Sequence, residues 1–211
     1  MKLNYIEKAL MNNPVRSNIQ RLYEAKLLEK LGGKTIGLNV LEVGCGRGVG
    51  TEIIFKRFGA SRVSSIDLDP IMVKKAKARL SNYSLSSLDL QVGDVSNLQF
   101  NPCTFDAVFD FGIIHHVLNW KDAIREIVRV LKPGGRFYFE EVTKQALDRW
   151  LYRTFLDHPK ADRFTSAEFI RELEKIGLTI GDNFVTKFFG DFVIGVAIKN
   201  KTAADSSTPL V

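Results

Sequence analysis

The chain has little cysteine, no long apolar run and no internal repeat, and each shortage excludes something. Its 2 cysteines, Cys45 and Cys103, can build neither a disulfide framework nor a four-ligand zinc site. No stretch approaches the roughly 18 apolar residues that a membrane-spanning helix requires. Met1 to Asn13 carries Glu7 and Lys8 where a signal peptide needs an uninterrupted apolar stretch, so the expected location is cytoplasmic. Low complexity is confined to residues 199–211, whose small and polar residues are expected to form a flexible tail. No His, Cys, Asp and Glu cluster has metal-ligand spacing, and the neighbours His115 and His116 are badly placed to share one ion. Metal-independent chemistry is expected.

The amino acids present are those of an ordinary globular protein. A 45% hydrophobic and 26% charged composition excludes a fibrous or wholly disordered chain, and 211 residues make one domain, at most with a small cap. Thirty basic residues against 24 acidic give a formal charge of +6, which admits an anionic partner. Many soluble enzymes are as basic, however, and the run Lys74, Lys75, Lys77 and Arg79 reads as the solvated face of a helix.

Short apolar runs alternate with amphipathic ones. Strands are expected at Asn39 to Val43, Arg62 to Ile66, Leu88 to Val92, Phe105 to Phe111 and Arg136 to Val142. Helices are expected over Thr51 to Phe58, Pro70 to Leu80 with Asp69 as N-cap, and Trp120 to Leu131, ended by Lys132-Pro133-Gly134-Gly135. Thr165 and Glu168 form a capping box for a helix that stops at Gly177. Two last strands, Leu178 to Lys187 and Asp191 to Lys199, are spaced for a hairpin through Gly190. Strand–helix alternation implies right-handed crossovers. The fold class is therefore α/β: a Rossmann-like, doubly wound sheet, mostly parallel, with one antiparallel strand from the C-terminal hairpin and helices on both faces. Residues 1–198 form the single domain. Within it, residues 1–35 read as a helical cap and 144–164 as a lid, because open α/β sheets bind ligands beyond the carboxyl ends of their strands.

The stretch Val40-Leu41-Glu42-Val43-Gly44-Cys45-Gly46-Arg47-Gly48 carries the most chemistry. Alternate glycines behind a strand let the backbone turn tightly and approach a ligand. A dinucleotide fingerprint fails, because Val49 or Thr51 stands at the third glycine position. No Lys-Ser/Thr pair follows for a triphosphate loop. Glu42, just before the loop, repels phosphate and suits an ammonium or sulfonium group.

With LEVGCGRG followed in order by SSIDLDP, VGDVSNL, FDAVFDFGIIHHV and LKPGGRFYF, the sequence resembles class I S-adenosylmethionine-dependent methyltransferases, in particular the small group that includes ubiquinone/menaquinone- and sterol-type enzymes. The resemblance covers roughly Asn39 to Phe139. It implies that Gly44, Cys45, Gly46 and Gly48 wrap the amino-acid part of S-adenosylmethionine, with Glu42 near its charged groups. Asp67, with Leu68 beside it, ends the second strand where a carboxylate accepts both ribose hydroxyls; Asp69 is the competing candidate but caps a helix. The resemblance further implies Asp94 and Val95 at the adenine, and Asp110 and Phe111 flanking the methionine moiety; His116 is expected to have a structural or cofactor-packing role. Phe111 is as readily core.

Methyl transfer from a sulfonium is an in-line displacement in which positioning does most of the work, and a base is needed only when the acceptor keeps a proton. His115, after the fourth strand, is the candidate base. Glu140 or Glu141, which point to opposite faces of the fifth strand, is the candidate for orienting an amine or hydroxyl; Glu140 is assigned that role. His158 and Arg163, with Tyr5, Trp150, Tyr152 and Phe155, are candidates for acceptor contact. The expected acceptor is a small molecule. An Asp/Asn-Pro-Pro-aromatic stretch for base amines is missing, since the residues there are Asp110-Phe111-Gly112-Ile113. Pro102-Cys103 precedes the fourth strand rather than following it, so the thiol lies on the wrong side for C5 chemistry. The rivals are an RNA- or protein-directed methyltransferase and a non-catalytic S-adenosylmethionine-binding scaffold.

Overall fold

Residues 14–148 and 162–201 are described by the computed structural model. The β-branched and aromatic runs form the expected strands: β1 (Asn39–Val43), β2 (Arg62–Asp67), β3 (Leu88–Val92), β4 (Phe105–Phe111) and β5 (Leu131–Val142), then β6 (Leu178–Thr179), β7 (Phe184–Lys187) and β8 (Phe192–Lys199). The sheet runs β3-β2-β1-β4-β5-β8-β6, with β7 also paired to β8. The pairs β1–β2, β1–β4, β2–β3 and β4–β5 are parallel, whereas β8 is antiparallel to β5, β6 and β7. One strand thus runs against all the others, as the hairpin demanded.

Helices cover both faces: α1 (Pro14–Ile19), α2 (Ala25–Gly32), α3 (Val49–Ile53), α4 (Pro70–Arg79), α5 (Trp120–Val130), α6 (Lys144–Leu147) and α7 (Ser166–Lys175). The period-2 alternation of strand side chains separates two cores. Leu41, Val43, Val108, Phe137 and Phe139 pack with Ile124, Ile127 and Phe169 on one face. Val40, Ala107, Phe109 and Tyr138 pack with Leu28, Ile54, Phe58 and Val73 on the other. Asp69 caps α4 by accepting the Ile71 N–H at 2.9 Å, and Thr165 and Glu168 form the expected capping box on α7.

Several expectations need correction. Lys132-Pro133-Gly134-Gly135 is part of the long β5, where the register against β4 shifts between Phe105 and Ala107; the glycines allow the close backbone approach of a bulge. The strand expected over Leu178 to Lys187 is broken into β6 and β7, because Gly181 turns in the left-handed region. The tail does not begin at Lys199. That residue ends β8, and its Nζ donates to the carbonyls of Val128 and Leu131, each at 2.7 Å. Phe164 is no lid residue but core, 4.8 Å from both Trp120 and Phe169 between ring centroids.

The N-terminal helices are tied to the sheet. Tyr138 donates its hydroxyl to the Gly32 carbonyl at 2.8 Å, and any side chain at Gly32 would meet Tyr138 and Val196 at 2.7 Å. Between α1 and α2 a π turn, Gln20–Glu24, offsets the two helices and brings the Glu24 side chain inward, where it is 7% exposed.

Candidate active site

A cavity of about 350 Å³ opens beyond the carboxyl ends of β1, β2, β3 and β4, where the strand order of an open α/β sheet reverses. From β1 and its loop come Glu42, Gly44, Cys45 and Gly46; from the end of β2, Asp67 and Leu68; after β3, Asp94 and Val95; after β4, Phe111 and His116. The strand order alone brings these groups together from four separate stretches of sequence.

Glu42 is 1% exposed and accepts hydrogen bonds from the hydroxyls of Thr51 (2.5 Å) and Ser65 (2.9 Å). Burial pushes its carboxyl up to about 7, against the pull of those two hydroxyls. A Cβ at Gly50 would lie 2.0 Å from Glu42 Oε1, so only glycine fits beside the carboxylate. Gly46 has φ +51 and would point a Cβ into open space: a bare backbone cradle rather than a packing site. Its N–H donates to Asp67 Oδ2 at 2.8 Å, while Asp67 Oδ1 accepts from the Asp69 N–H at 2.8 Å. The Asp67 carboxylate is thereby fixed on the wall. Asp94 Oδ1 accepts from the backbone and hydroxyl of Ser96 at 2.9 and 2.7 Å. The Cys45 thiol is buried and its ionisation pushed up by that burial, which makes it a wall, not a nucleophile.

Four residues expected at the ligand are off the cavity walls. Gly48 precedes α3 and packs under Leu80, which a Cβ at this position would meet at 2.8 Å. Asp110 is fully buried and accepts the backbone N–H groups of Gly112 and Ile113 at 3.1 and 2.9 Å; burial and the adjacent Glu141 hold its carboxyl well above the usual range. His115, the expected base, instead places Nδ1 2.5 Å from Glu141 Oε2. Glu141 also accepts from the Ile114 and His115 backbone at 2.7 and 3.1 Å. Glu140 lies behind Arg16, whose Nη2 donates to it at 3.0 Å while Nη1 pairs with Glu24. Burial, and then the Glu24 charge, raise the Glu140 carboxyl well above its ordinary value. For Asp110, His115 and Glu140 the cause is shared: β4 and β5 end in acidic residues whose carboxylates fold back to satisfy backbone donors, the His115 ring or an arginine.

The histidine that does line the cavity is His116, its ring 4.1 Å from that of His115 between centroids. Sequence reasoning did not single out Arg16, Ser17 and Gln20 on the N-terminal helix, Arg47 in the loop, or Ile113, Val117, Leu118 and Asn119 after β4, all of which line the cavity. Gly50 had a visible signal, a further glycine two residues past Gly48. The N-terminal contribution had only the expectation of a cap. Of the acceptor candidates, Tyr5, Trp150, Tyr152, Phe155 and His158 lie outside the described residues, and Arg163 is paired with Asp148 at 2.7 Å. Among the described residues, no three His, Cys, Asp or Glu side chains are grouped to hold a metal ion, and no helix is long and apolar enough to cross a membrane.

A family model described as a methyltransferase domain matches residues 41–139, the stretch that builds the cavity floor. Over that stretch the chain is similar to methyltransferases. It is 31% identical over 131 residues to the phthiotriol/phenolphthiotriol dimycocerosates methyltransferase of Mycobacterium tuberculosis, covering 62% of this chain and 46% of that one. To the mitochondrial ubiquinone biosynthesis O-methyltransferase of Dictyostelium discoideum it is 31% identical over 159 residues, covering 71% and 46%. The chain thus spans about half the length of these curated relatives. Among solved structures, the methyltransferase in a Haloferax volcanii complex with the Trm112 activator has a TM-score of 0.75 at 18% identity, covering 95% of this chain and 100% of that one. An S-adenosylmethionine-dependent methyltransferase from Aquifex aeolicus has 0.71 at 22%, covering 93% and 98%. At such identities the likeness is one of fold.

Proposed function

We propose that the protein transfers a methyl group from S-adenosylmethionine to a small-molecule acceptor by in-line displacement. The observation that carries this reading is the acidic floor of the cavity: Glu42, pinned by Thr51 and Ser65 beside Gly50 and just before the Gly44–Gly46 loop, with Asp67 fixed one strand away. A buried carboxylate on a glycine cradle disfavours phosphate and favours a cationic ligand.

The residues present fit that cofactor. Glu42 and the 44–46 loop would hold the charged amino-acid end, Asp67 the ribose hydroxyls, and Asp94 with Val95 the adenine. Bound there, S-adenosylmethionine supplies an electrophilic methyl that needs no metal or covalent intermediate. What the chain itself supplies is orientation and exclusion of water: Phe111, Ile113 and Val117 on one side, Arg16, Ser17 and Gln20 on the other. For an acceptor that keeps a proton, His116 replaces His115 as the base, because it is the histidine on the wall. A small acceptor is supported by the names of the two relatives.

Ligand-induced thermal shifts with S-adenosylmethionine, S-adenosylhomocysteine and NADH test the cofactor. A ligand at about 100 times its dissociation constant stabilises by about 2.7 kcal/mol. Both adenosyl compounds are expected to raise Tm, and Asp67→Asn to weaken them by about 10- to 100-fold, the cost of about 1.4 to 2.8 kcal/mol of ribose bonding. A shift with NADH alone would overturn the reading. Methyl-labelled donor, incubated with cell extract and separated by size, tests the acceptor: label in the low-mass fraction supports a small molecule, and label in RNA or protein sinks that part.

A further inference from the structure

The turn between β7 and β8 is built in an unfavourable way. Phe188 and Phe189 are consecutive, have φ +51 and +60, and are 70% and 99% exposed. A left-handed backbone is uncommon for any bulky side chain, and here two successive aromatics adopt it just before Gly190, whose φ is +96. Phe188 touches the Phe192 ring edge-on at 5.9 Å; Phe189 gains almost nothing from the folded chain. Glycine or asparagine would fill the same turn without strain. Backbone strain and apolar exposure at one tip, uncompensated by packing, point to a role outside the fold.

The direction of the tip follows from topology. Lys187 pairs with Phe192, and Phe192 pairs with Val142 at the end of β5. The tip therefore projects from the carboxyl edge of the parallel strands, the edge on which the cavity opens. Two lysines flank the tip. Lys187 precedes the two rings, and Lys144 is exposed at the start of α6, next to Thr143, whose hydroxyl donates to the Gly190 carbonyl at 2.7 Å. Of the nearby carboxylates, Asp148 is matched by Arg163, Glu168 is engaged by Thr165 in its capping box, and Asp191 is buried.

We propose that Phe188 and Phe189 form a wedge that docks this edge of the protein on an anionic lipid surface, turning the cavity toward the bilayer. Two adjacent rings on a short turn need no shaped groove: the headgroup–acyl boundary accepts aromatic side chains wherever they arrive. Lysines beside them add attraction to anionic headgroups. This inference does not depend on methyl transfer, because docking needs no methyl donor.

The test is sedimentation with phosphatidylcholine vesicles, with and without phosphatidylglycerol, comparing wild type with Phe188→Asn/Phe189→Asn. Asparagine tolerates the left-handed region, so the variant is expected to melt at the same temperature or a few degrees higher. The wild type is expected to sediment with phosphatidylglycerol vesicles, less so at high salt, and the variant to bind about tenfold more weakly or worse. Absence of wild-type sedimentation with either vesicle overturns the proposal. So does binding that the variant retains in full, which would make it a matter of net charge alone. A wild type that runs as a dimer in solution while the variant runs as a monomer also overturns it, assigning the rings to contact between two copies.

Discussion

Glu42 on β1 and Glu141 on β5 are alike in burial, and in both burial pushes the carboxyl up to about 7. They differ in what surrounds them. Glu42 takes its hydrogen bonds from two side-chain hydroxyls, Thr51 and Ser65, and stands on the cavity wall. Glu141 takes its bonds from the backbone of Ile114 and His115 and from the His115 ring, and is off the wall. Hydroxyls that serve a carboxylate keep it in place for something else; backbone N–H groups that depend on a carboxylate are held by it. The first arrangement presents a carboxylate to the cavity; the second fixes the loop after β4 that forms one wall of that cavity.

The largest expected effect separates them directly. Glu42→Gln should weaken S-adenosylmethionine by about 100-fold or more, near 3 kcal/mol, since it removes the charge that faces a cationic ligand. The same change should raise unfolding stability at pH 8. A carboxyl held near 7 in the folded state and near 4.5 unfolded makes the fold lose stability as pH rises between those values, because the native state then binds more protons than the unfolded one. Above pH 7 that penalty is about 3 kcal/mol at most, and glutamine escapes it. Isothermal titration and urea melts at pH 5 and pH 8 read both quantities; a variant that binds as well as wild type and unfolds more easily would dissolve the distinction.

Glu141→Ala should show the reverse pattern. Three donors lose their acceptor inside the protein, so unfolding stability at pH 5, where the carboxyl bears no ionisation penalty, should fall by about 2 to 3 kcal/mol, while cofactor affinity changes by less than about tenfold, through slackening of the Ile113–Val117 wall. Equal losses of affinity in the two variants would mean that Glu141 reaches the ligand in solution.

A pH series sharpens the comparison further. A cation bound beside Glu42 favours its ionised form, so binding below pH 7 must expel a proton. The dissociation constant should therefore tighten by up to about tenfold per unit as pH rises toward 7 and level off beyond it. In Glu42→Gln this limb should vanish, and in a Glu141 variant it should persist.

The same contrast explains what could be read from the sequence. The glycine loop, Asp67 and the Asp69 cap are local: each follows from residues within a few positions of a strand end, and β1 was expected at the residues where it stands. The roles of His115, Glu140 and Asp110 are not local. A strand-end carboxylate looks the same in the sequence whether it faces a cavity, as Glu42 does, or turns back on backbone N–H groups, as Asp110 and Glu141 do. The choice is made by the register of β4 against β5, which pairs Phe111 with Glu140 and leaves Glu141 to the other face. Arg16 was out of reach for a further reason: it meets Glu140 across 124 positions, and a π turn, which has no sequence signature, sets the side chain of its other partner, Glu24.

The smallest effect probes the hydroxyls themselves. Ser65 Oγ donates to Glu42 at 2.9 Å and lies 3.2 Å from the Thr51 hydroxyl, so Ser65→Ala removes one of two donors without touching the wall. The loss should be about 1 kcal/mol of charge-assisted hydrogen bonding at high pH, and little at low pH, where the carboxyl is neutral. Because the lost bond favours the ionised form, the Glu42 carboxyl rises further, and the inflection in the affinity–pH curve should move to higher pH by a fraction of a unit. An inflection that stays put while affinity falls at all pH values would mean that Ser65 acts by packing and that Thr51 alone tunes the carboxylate.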